Sequence, residues 1–138
     1  MQVTHGKSSR SLVHPTAVID PKAEIGEGCR IGPYCVIGEG VVLGPGCALH
    51  SHVVIEGWTR MGSNNEVFPF CAIGLRTQDL KWKGGTTRTE IGDGNTFREH
   101  VTVHSATGDG ETTVIGRLCS PGAARYPQRL LLLQARFR

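Results

Sequence analysis

Residues 25 to 46 read IGEGCRIGPYCVIGEGVVLGPG. An aliphatic residue followed by glycine returns every six positions, at Ile25-Gly26, Ile31-Gly32, Ile37-Gly38 and Leu43-Gly44. Followed outward, the aliphatic position, called i, starts at Val13 and Ile19. It continues through Leu49, Ile55, Met61 and Val67 to Ile73, eleven positions in strict register. The phase then reappears at Ile91, Phe97, Val103 and Ile115. Position i + 4 is mostly small, and every cysteine of the chain occupies it: Cys29, Cys35, Cys47, Cys71 and Cys119.

A period of six fits neither a helix nor plain strand alternation. Residues two apart in a strand share a side. Positions i and i + 4 therefore both face inward only if the chain stays extended between them and bends once per hexad. Gly, Asn and Asp near the bends tolerate the backbone angles required there. Each hexad is then one short flat side with a corner, and the sides close into a coil whose i residues stack along an axis, as in solenoid proteins. In this reading the cysteines are small, buried wall-fillers with free thiols.

Composition narrows the function classes. The net charge of +3 hides an uneven distribution. Residues 1–116 carry ten basic and twelve acidic side chains, whereas residues 117–138 carry five arginines and no acid. The body lacks the basic face of a nucleic-acid binder. Five cysteines without a CxxC pair argue against a disulfide framework or a zinc site, and no stretch approaches the roughly 20 apolar residues of a membrane span. The start, MQVTHGKSSRSLVHP, lacks the apolar core of a signal peptide. A soluble, cytoplasmic protein is expected.

The run of aliphatic-Gly-x-x-small-x resembles the hexapeptide-repeat acyltransferases. That resemblance implies an all-β fold, the left-handed parallel β-helix with three hexads per coil. It leaves function open, because hexapeptide proteins include transferases, γ-class carbonic anhydrases and non-catalytic subunits. The expected organisation is an N-terminal arm at 1–12 and a β-helix at 13–116 with an extended loop at 75–90. A divergent, off-register basic tail follows at 117–138.

The loop carries the narrower signal. Positions 79 and 85, where the phase asks for an aliphatic, are Asp79 and Gly85, so LRTQDLKWKGGTTRTE leaves the wall. Loops leaving a rigid scaffold are where function concentrates. Gln78-Asp79-Leu80-Lys81, Thr87-Arg88, Glu90-Ile91-Gly92-Asp93, Arg98-Glu99 and Val101-Thr102-Val103-His104 closely resemble the UDP-N-acetylglucosamine 3-O-acyltransferases of lipid A biosynthesis. The likeness covers roughly residues 13–116. It implies transfer of a 3-hydroxyacyl chain from acyl carrier protein to the sugar nucleotide, without a cofactor or metal, in a homotrimer with sites between subunits. Gln78, Asp79, Lys81 and His104 match family positions that line the substrate cleft. Lys81 suits a phosphate or a polarised carbonyl oxygen, and Asp79 suits sugar hydroxyls. His50, His52 and His100 are read as surface residues.

Beyond Gly116 the resemblance stops. The family's catalytic histidine has no counterpart, because no histidine follows His104, and the phase breaks at Pro121 and Pro127. The change reads as a frameshift, a splice variant or a truncated gene model, and the catalytic base is unassigned. At most a short helix is expected in the tail, near 128–136. Two other readings stand beside the transferase: a non-catalytic trimeric β-helix remnant and a γ-anhydrase-like metalloenzyme.

Overall fold

The computed structural model describes residues 2–3, 10–116 and 129–131. These residues form seventeen short strands and no helix, so no helix is long and apolar enough to cross a membrane. The strands fall into three sheets, and consecutive strands pass from one sheet to the next and back again. The first face holds Leu12–Val13, Arg30–Ile31, Ala48–Leu49, Glu66–Val67 and Asn95–Phe97. The second holds Val18–Ile19, Val36–Ile37, Val54–Ile55, Ala72–Leu75 and Thr102–His104. The third holds Glu24–Ile25, Val42–Leu43, Trp58–Met61, Arg88–Ile91 and Thr112–Ile115. All neighbours within these runs pair in parallel. The architecture is a parallel β-helix of three-sided section.

The core is the bore of this helix. Ile31, Ile37, Leu43, Ile55, Met61, Val67, Ile73 and Phe97 have at most 1% of their surface exposed, and Ile19, Ile25 and Ile115 pack against them less completely. Parallel pairing sets the repeat, because the leading amide of a strand donates to a carbonyl seventeen residues on: Val18 to Cys35, Glu24 to Val41, Arg30 to Cys47. The i side chains of successive coils then lie directly over one another, where burying each aliphatic side chain contributes roughly 1.5–3 kcal/mol.

Corners leave carbonyls that no strand satisfies, and the i + 4 residues supply the donors. At the corner from the third face to the first, Ser11 Oγ donates to the Gly26 carbonyl (2.7 Å), Cys29 Sγ to Gly44 (3.2 Å) and Cys47 Sγ to Gly62 (3.1 Å). Asn65 Nδ2 then donates to Gly92 (2.8 Å) and Asn95 Nδ2 to Gly116 (3.2 Å). The described cysteines are free and buried, yet they do more than fill the wall, because each caps a corner carbonyl. Burial pushes the Cys71 thiol up to about 11. Asn65 also accepts the Asn95 amide on Oδ1 at 2.7 Å. The equivalent Asn95 oxygen has no partner among the described residues, which marks the last coil they complete.

The opposite corner, from the first face to the second, carries an exposed column of rings. Tyr34, His52, Phe70 and His100 all adopt left-handed backbone angles, φ 55–66°, which cost a non-glycine residue about 1–2 kcal/mol. Their rings stack in sequence at centroid distances of 5.2, 5.2 and 5.4 Å, and each such contact returns about 0.5–1.5 kcal/mol. Beside them His50 stacks on Phe68 at 4.3 Å and pairs with Glu66 at 2.8 Å.

Two features differ from expectation at the ends. Gln2–Val3, within the N-terminal arm, form a strand antiparallel to Leu12–Val13 and cover the lower edge of the first face. In the tail, Arg129–Leu131 are not helical. They pair in parallel with Asn95–Phe97, Leu131 beside Phe97. A six-residue count from Ile115 would place residue 121 there instead. The physical reason is the open edge of the last coil, whose unpaired amides and carbonyls accept a strand more readily than they accept a helix. The rest of residues 117–138 lies outside the described residues.

Asn65→Ala is expected to lower stability by about 2–4 kcal/mol, because the buried Asn95 amide and Gly92 carbonyl each lose a partner at a cost of about 1–3 kcal/mol. Ile55→Val is expected to cost about 0.5–1.5 kcal/mol. Urea unfolding of both variants checks the order.

Candidate functional site

The wall opens at the corner between the second and third faces. Strand Ala72–Leu75 shifts register against Thr102–His104 between Ile73 and Leu75. At that bulge Gly74 has φ 84°, and a Cβ there would collide with Thr59 Oγ1 and the Glu56 carbonyl. Only glycine lets the chain turn outward over so close a neighbour. Residues 76–87 then leave the coil, and Arg88–Ile91 re-enter it beneath Thr112–Ile115.

A second excursion, 105–111, leaves the same corner one coil later and packs on the first. The Thr86 amide donates to Asp109 Oδ1 (2.8 Å) and the Gly110 amide to the Thr86 carbonyl (2.7 Å). Thr87 Oγ1 donates to Ser105 Oγ (3.0 Å), which donates in turn to the Leu75 carbonyl (3.3 Å). The Arg76 guanidinium lies 5.0 Å above the Trp82 ring. The two loops therefore form one hydrogen-bonded unit. Sequence reasoning missed the second. Its signal was Asp109, an acid between two glycines at a position where the phase asks for an aliphatic residue.

The four predicted site residues divide between two adjoining grooves. Gln78, Asp79 and His104 line one of about 750 Å³ together with Glu56, Leu75, Arg76 and Trp82. Lys81 lines a second of about 640 Å³ with Lys83, Thr107, Asp109 and Glu111. Asp79 borders both, so it links Lys81 to His104, which do not share a groove. Both volumes lie in the range of small-molecule sites.

Asp79 also builds the loop. Its Oδ1 accepts the Lys81 amide at 2.9 Å and Thr107 Oγ1 lies 3.4 Å from its Oδ2, while its own amide donates to Thr77 Oγ1 at 3.1 Å. This Asx turn, with the Trp82 amide on the Asp79 carbonyl at 3.1 Å, aims the exposed Gln78, Leu80 and Lys81 away from the wall. His104 is half-buried at the end of Thr102–His104, opposite Leu75. A separate concavity of about 450 Å³ on the third face is lined by Trp58, Arg60, Arg88 and Glu90 and holds none of the predicted residues.

Known proteins share the repeat and the fold. Residues 9–39 and 22–57 match the bacterial transferase hexapeptide (six repeats) family. A relative from Akkermansia muciniphila, named as an acyl-(acyl-carrier-protein)–UDP-N-acetylglucosamine O-acyltransferase, is 59% identical over 104 residues, 75% of this chain and 40% of that protein. The solved LpxA structure from Acinetobacter baumannii superposes with a TM-score of 0.73 at 50% identity, covering 76% of this chain and 41% of that one. The LpxA structure from Bacteroides fragilis, a UDP-N-acetylglucosamine acyltransferase, does so at 0.72 and 39%, with 76% and 41% covered. Over residues 9–57 the chain matches the hexapeptide-repeat proteins, and its fold is the left-handed parallel β-helix. Within them it is similar to the UDP-N-acetylglucosamine O-acyltransferases, and it spans about 40% of the length of the relatives it matches.

Asp79→Ala is expected to speed hydrogen exchange at the Lys81 amide about tenfold, the loss of roughly one hydrogen bond to a charged acceptor. Amides of Val54 and Ala72 in the wall are expected to keep their protection. Exchange measured residue by residue separates the two.

Proposed function

We propose that this chain forms the substrate-lining, N-terminal portion of a cytoplasmic acyltransferase that moves a 3-hydroxyacyl chain from acyl carrier protein to the 3-hydroxyl of UDP-N-acetylglucosamine. The observation that carries this reading is the QDLK loop, held on a second loop and bordering both grooves, in a chain 59% identical over 104 residues to a protein named as an acyl-(acyl-carrier-protein)–UDP-N-acetylglucosamine O-acyltransferase. An alcohol attacking a thioester needs a base for its proton and donors for the developing oxyanion. Gln78 offers an amide that both donates and accepts. Lys81 offers a compact cation for a phosphate or for the thioester oxygen. Asp79 presents its carboxylate to sugar hydroxyls while its Asx turn keeps the two neighbours in place. His104 contributes an imidazole from the wall, and its ring makes no hydrogen bond to the described residues.

A homotrimer with the site between copies fits the surface. The outer row of the second face, Val18, Val36, Val54 and Ala72, is apolar and at least partly exposed, and it runs up to Thr102 beside His104. Leu80, at the tip of the loop, is 98% exposed. A neighbouring copy covering both would exclude water from the reacting groups.

The alternative, a non-catalytic trimeric β-helix, is favoured by one fact: no histidine follows His104 in these 138 residues. The purified chain is therefore expected to bind UDP-N-acetylglucosamine without turning it over. Calorimetry is expected to show binding that weakens about tenfold or more in Lys81→Ala, the loss of a charge-assisted contact worth roughly 1.5–3 kcal/mol. Thioester release from 3-hydroxyacyl carrier protein is expected to stay at the no-protein blank. Turnover that disappears in His104→Ala would instead make His104 the base. Absence of any nucleotide binding would favour the non-catalytic alternative.

A further inference from the structure

We infer that Cys29 and Cys47 are a built-in redox staple: a peroxide joins them in a disulfide that ties two successive corners of the β-helix together. The two occupy the same corner one coil apart, with 0% and 1% of their surface exposed. Their successors Arg30 and Ala48 are directly paired, and the Arg30 amide donates to the Cys47 carbonyl at 2.9 Å. Their Cα atoms are thus about one strand spacing apart, ~4.8 Å, inside the ~4.4–6.8 Å that a disulfide spans. Both sulfurs point into the corner, where each thiol donates to the carbonyl of the coil above.

The remaining described thiols lack such a neighbour. Cys35 lies in a different column, where the residue one coil on is Val53 and Cys71 is a further coil away. Two strand spacings, roughly 9–10 Å, exceed the ~7 Å beyond which two cysteines cannot be joined without backbone movement.

The pair is also chemically unequal. When Cys29 is ionised, the Cys47 thiol donates to it in place of the Gly62 carbonyl, which draws the Cys29 thiol below its ordinary value against the opposing effect of burial. The same contact, with burial, holds Cys47 well above the ordinary thiol value. Cys29 is then the attacking sulfur. Its thiolate opens the O–O bond of hydrogen peroxide, forming an S–O bond and releasing hydroxide, which takes up a proton. The Cys47 sulfur displaces water from that sulfenic acid and loses its own proton. In total, two thiols and one hydrogen peroxide give one disulfide and two waters. Because both sulfurs are buried, the rate is set by local opening of the corner, and the product, once formed, is shielded from bulk reductant.

The test is peroxide treatment of the full folded chain, alkylation with N-ethylmaleimide, and mass spectrometry before and after dithiothreitol. Trypsin cuts after Arg30, between the two cysteines, so the bond appears as a linked peptide pair, and finding N-ethylmaleimide on Cys35 by fragmentation of the 31–60 peptide, which carries both Cys35 and Cys47, assigns it to Cys47. The expected result is an intact mass lower by two hydrogens, one Cys29–Cys47 crosslink reversed by dithiothreitol, and a higher melting temperature for the oxidised form. Cys47→Ser and Cys47→Val are each expected to abolish the crosslink and leave Cys29 as a dimedone-trappable sulfenic acid, while Cys35→Val leaves it intact. Two results would overturn the inference. One is a folded chain that resists peroxide sufficient to oxidise it in urea. The other is a crosslink through Cys35, Cys71 or Cys119 in place of Cys29–Cys47.

Discussion

The rest of the molecule depends on the parallel ladder of hydrogen bonds between coils. In the first coils the leading amide of a strand reaches a carbonyl seventeen residues further on, as from Leu12 to Cys29 and from Val54 to Cys71. After the first excursion the step becomes twenty-nine, as from Gly62 to Ile91 and from Ala72 to Val101. After the second it is twenty-three, from Arg88 to Glu111. The ladder is unbroken while the connection lengthens by twelve and then by six residues. Insertions of this kind are tolerated only at corners, where no ladder bond is lost. Both occur at one corner, so the loops meet and build a site that neither could form alone.

The bore and the corners solve different problems. Stacked aliphatic residues supply the burial. Small polar side chains at i + 4 satisfy carbonyls that the bends turn inward, and a buried carbonyl without a partner costs free energy comparable to a lost hydrogen bond. Serine, cysteine and asparagine succeed one another in a single column from Ser11 to Asn95 because each offers a donor of suitable reach. This explains why cysteine recurs in a chain whose described thiols form no disulfide. It also places two thiols in register.

The fold was legible in the sequence because one residue class recurs at one spacing and nearly every coil repeats it. The excursions preserve that phase, having twelve and six extra residues, so Ile91, Phe97, Val103 and Ile115 are still recognisable as wall positions. The first loop was legible from Asp79 and Gly85. The second was short enough to be read as an imperfect hexad, although Asp109 marks it. The division of Gln78, Asp79, Lys81 and His104 between two grooves depends on a turn made by one carboxylate, which residue types alone do not encode. The stacked column of Tyr34, His52, Phe70 and His100 was also hidden, since left-handed angles at bulky residues run against local preference and are held by neighbours eighteen or thirty residues away. The strand at Arg129–Leu131 was missed because a leucine-rich run gives no register, and an open sheet edge decided its state.

The most direct measurement of in-register stacking around looped-out corners is the set of nuclear Overhauser contacts between backbone protons of successive coils. Parallel stacking with two excursions predicts that Val67 contacts the Phe97 strand, Met61 the Ile91 strand and Ile91 the Ile115 strand. Contacts placing Val67 beside Gly85, where an uninterrupted eighteen-residue coil would put it, would contradict the register and with it the site built on the excursions.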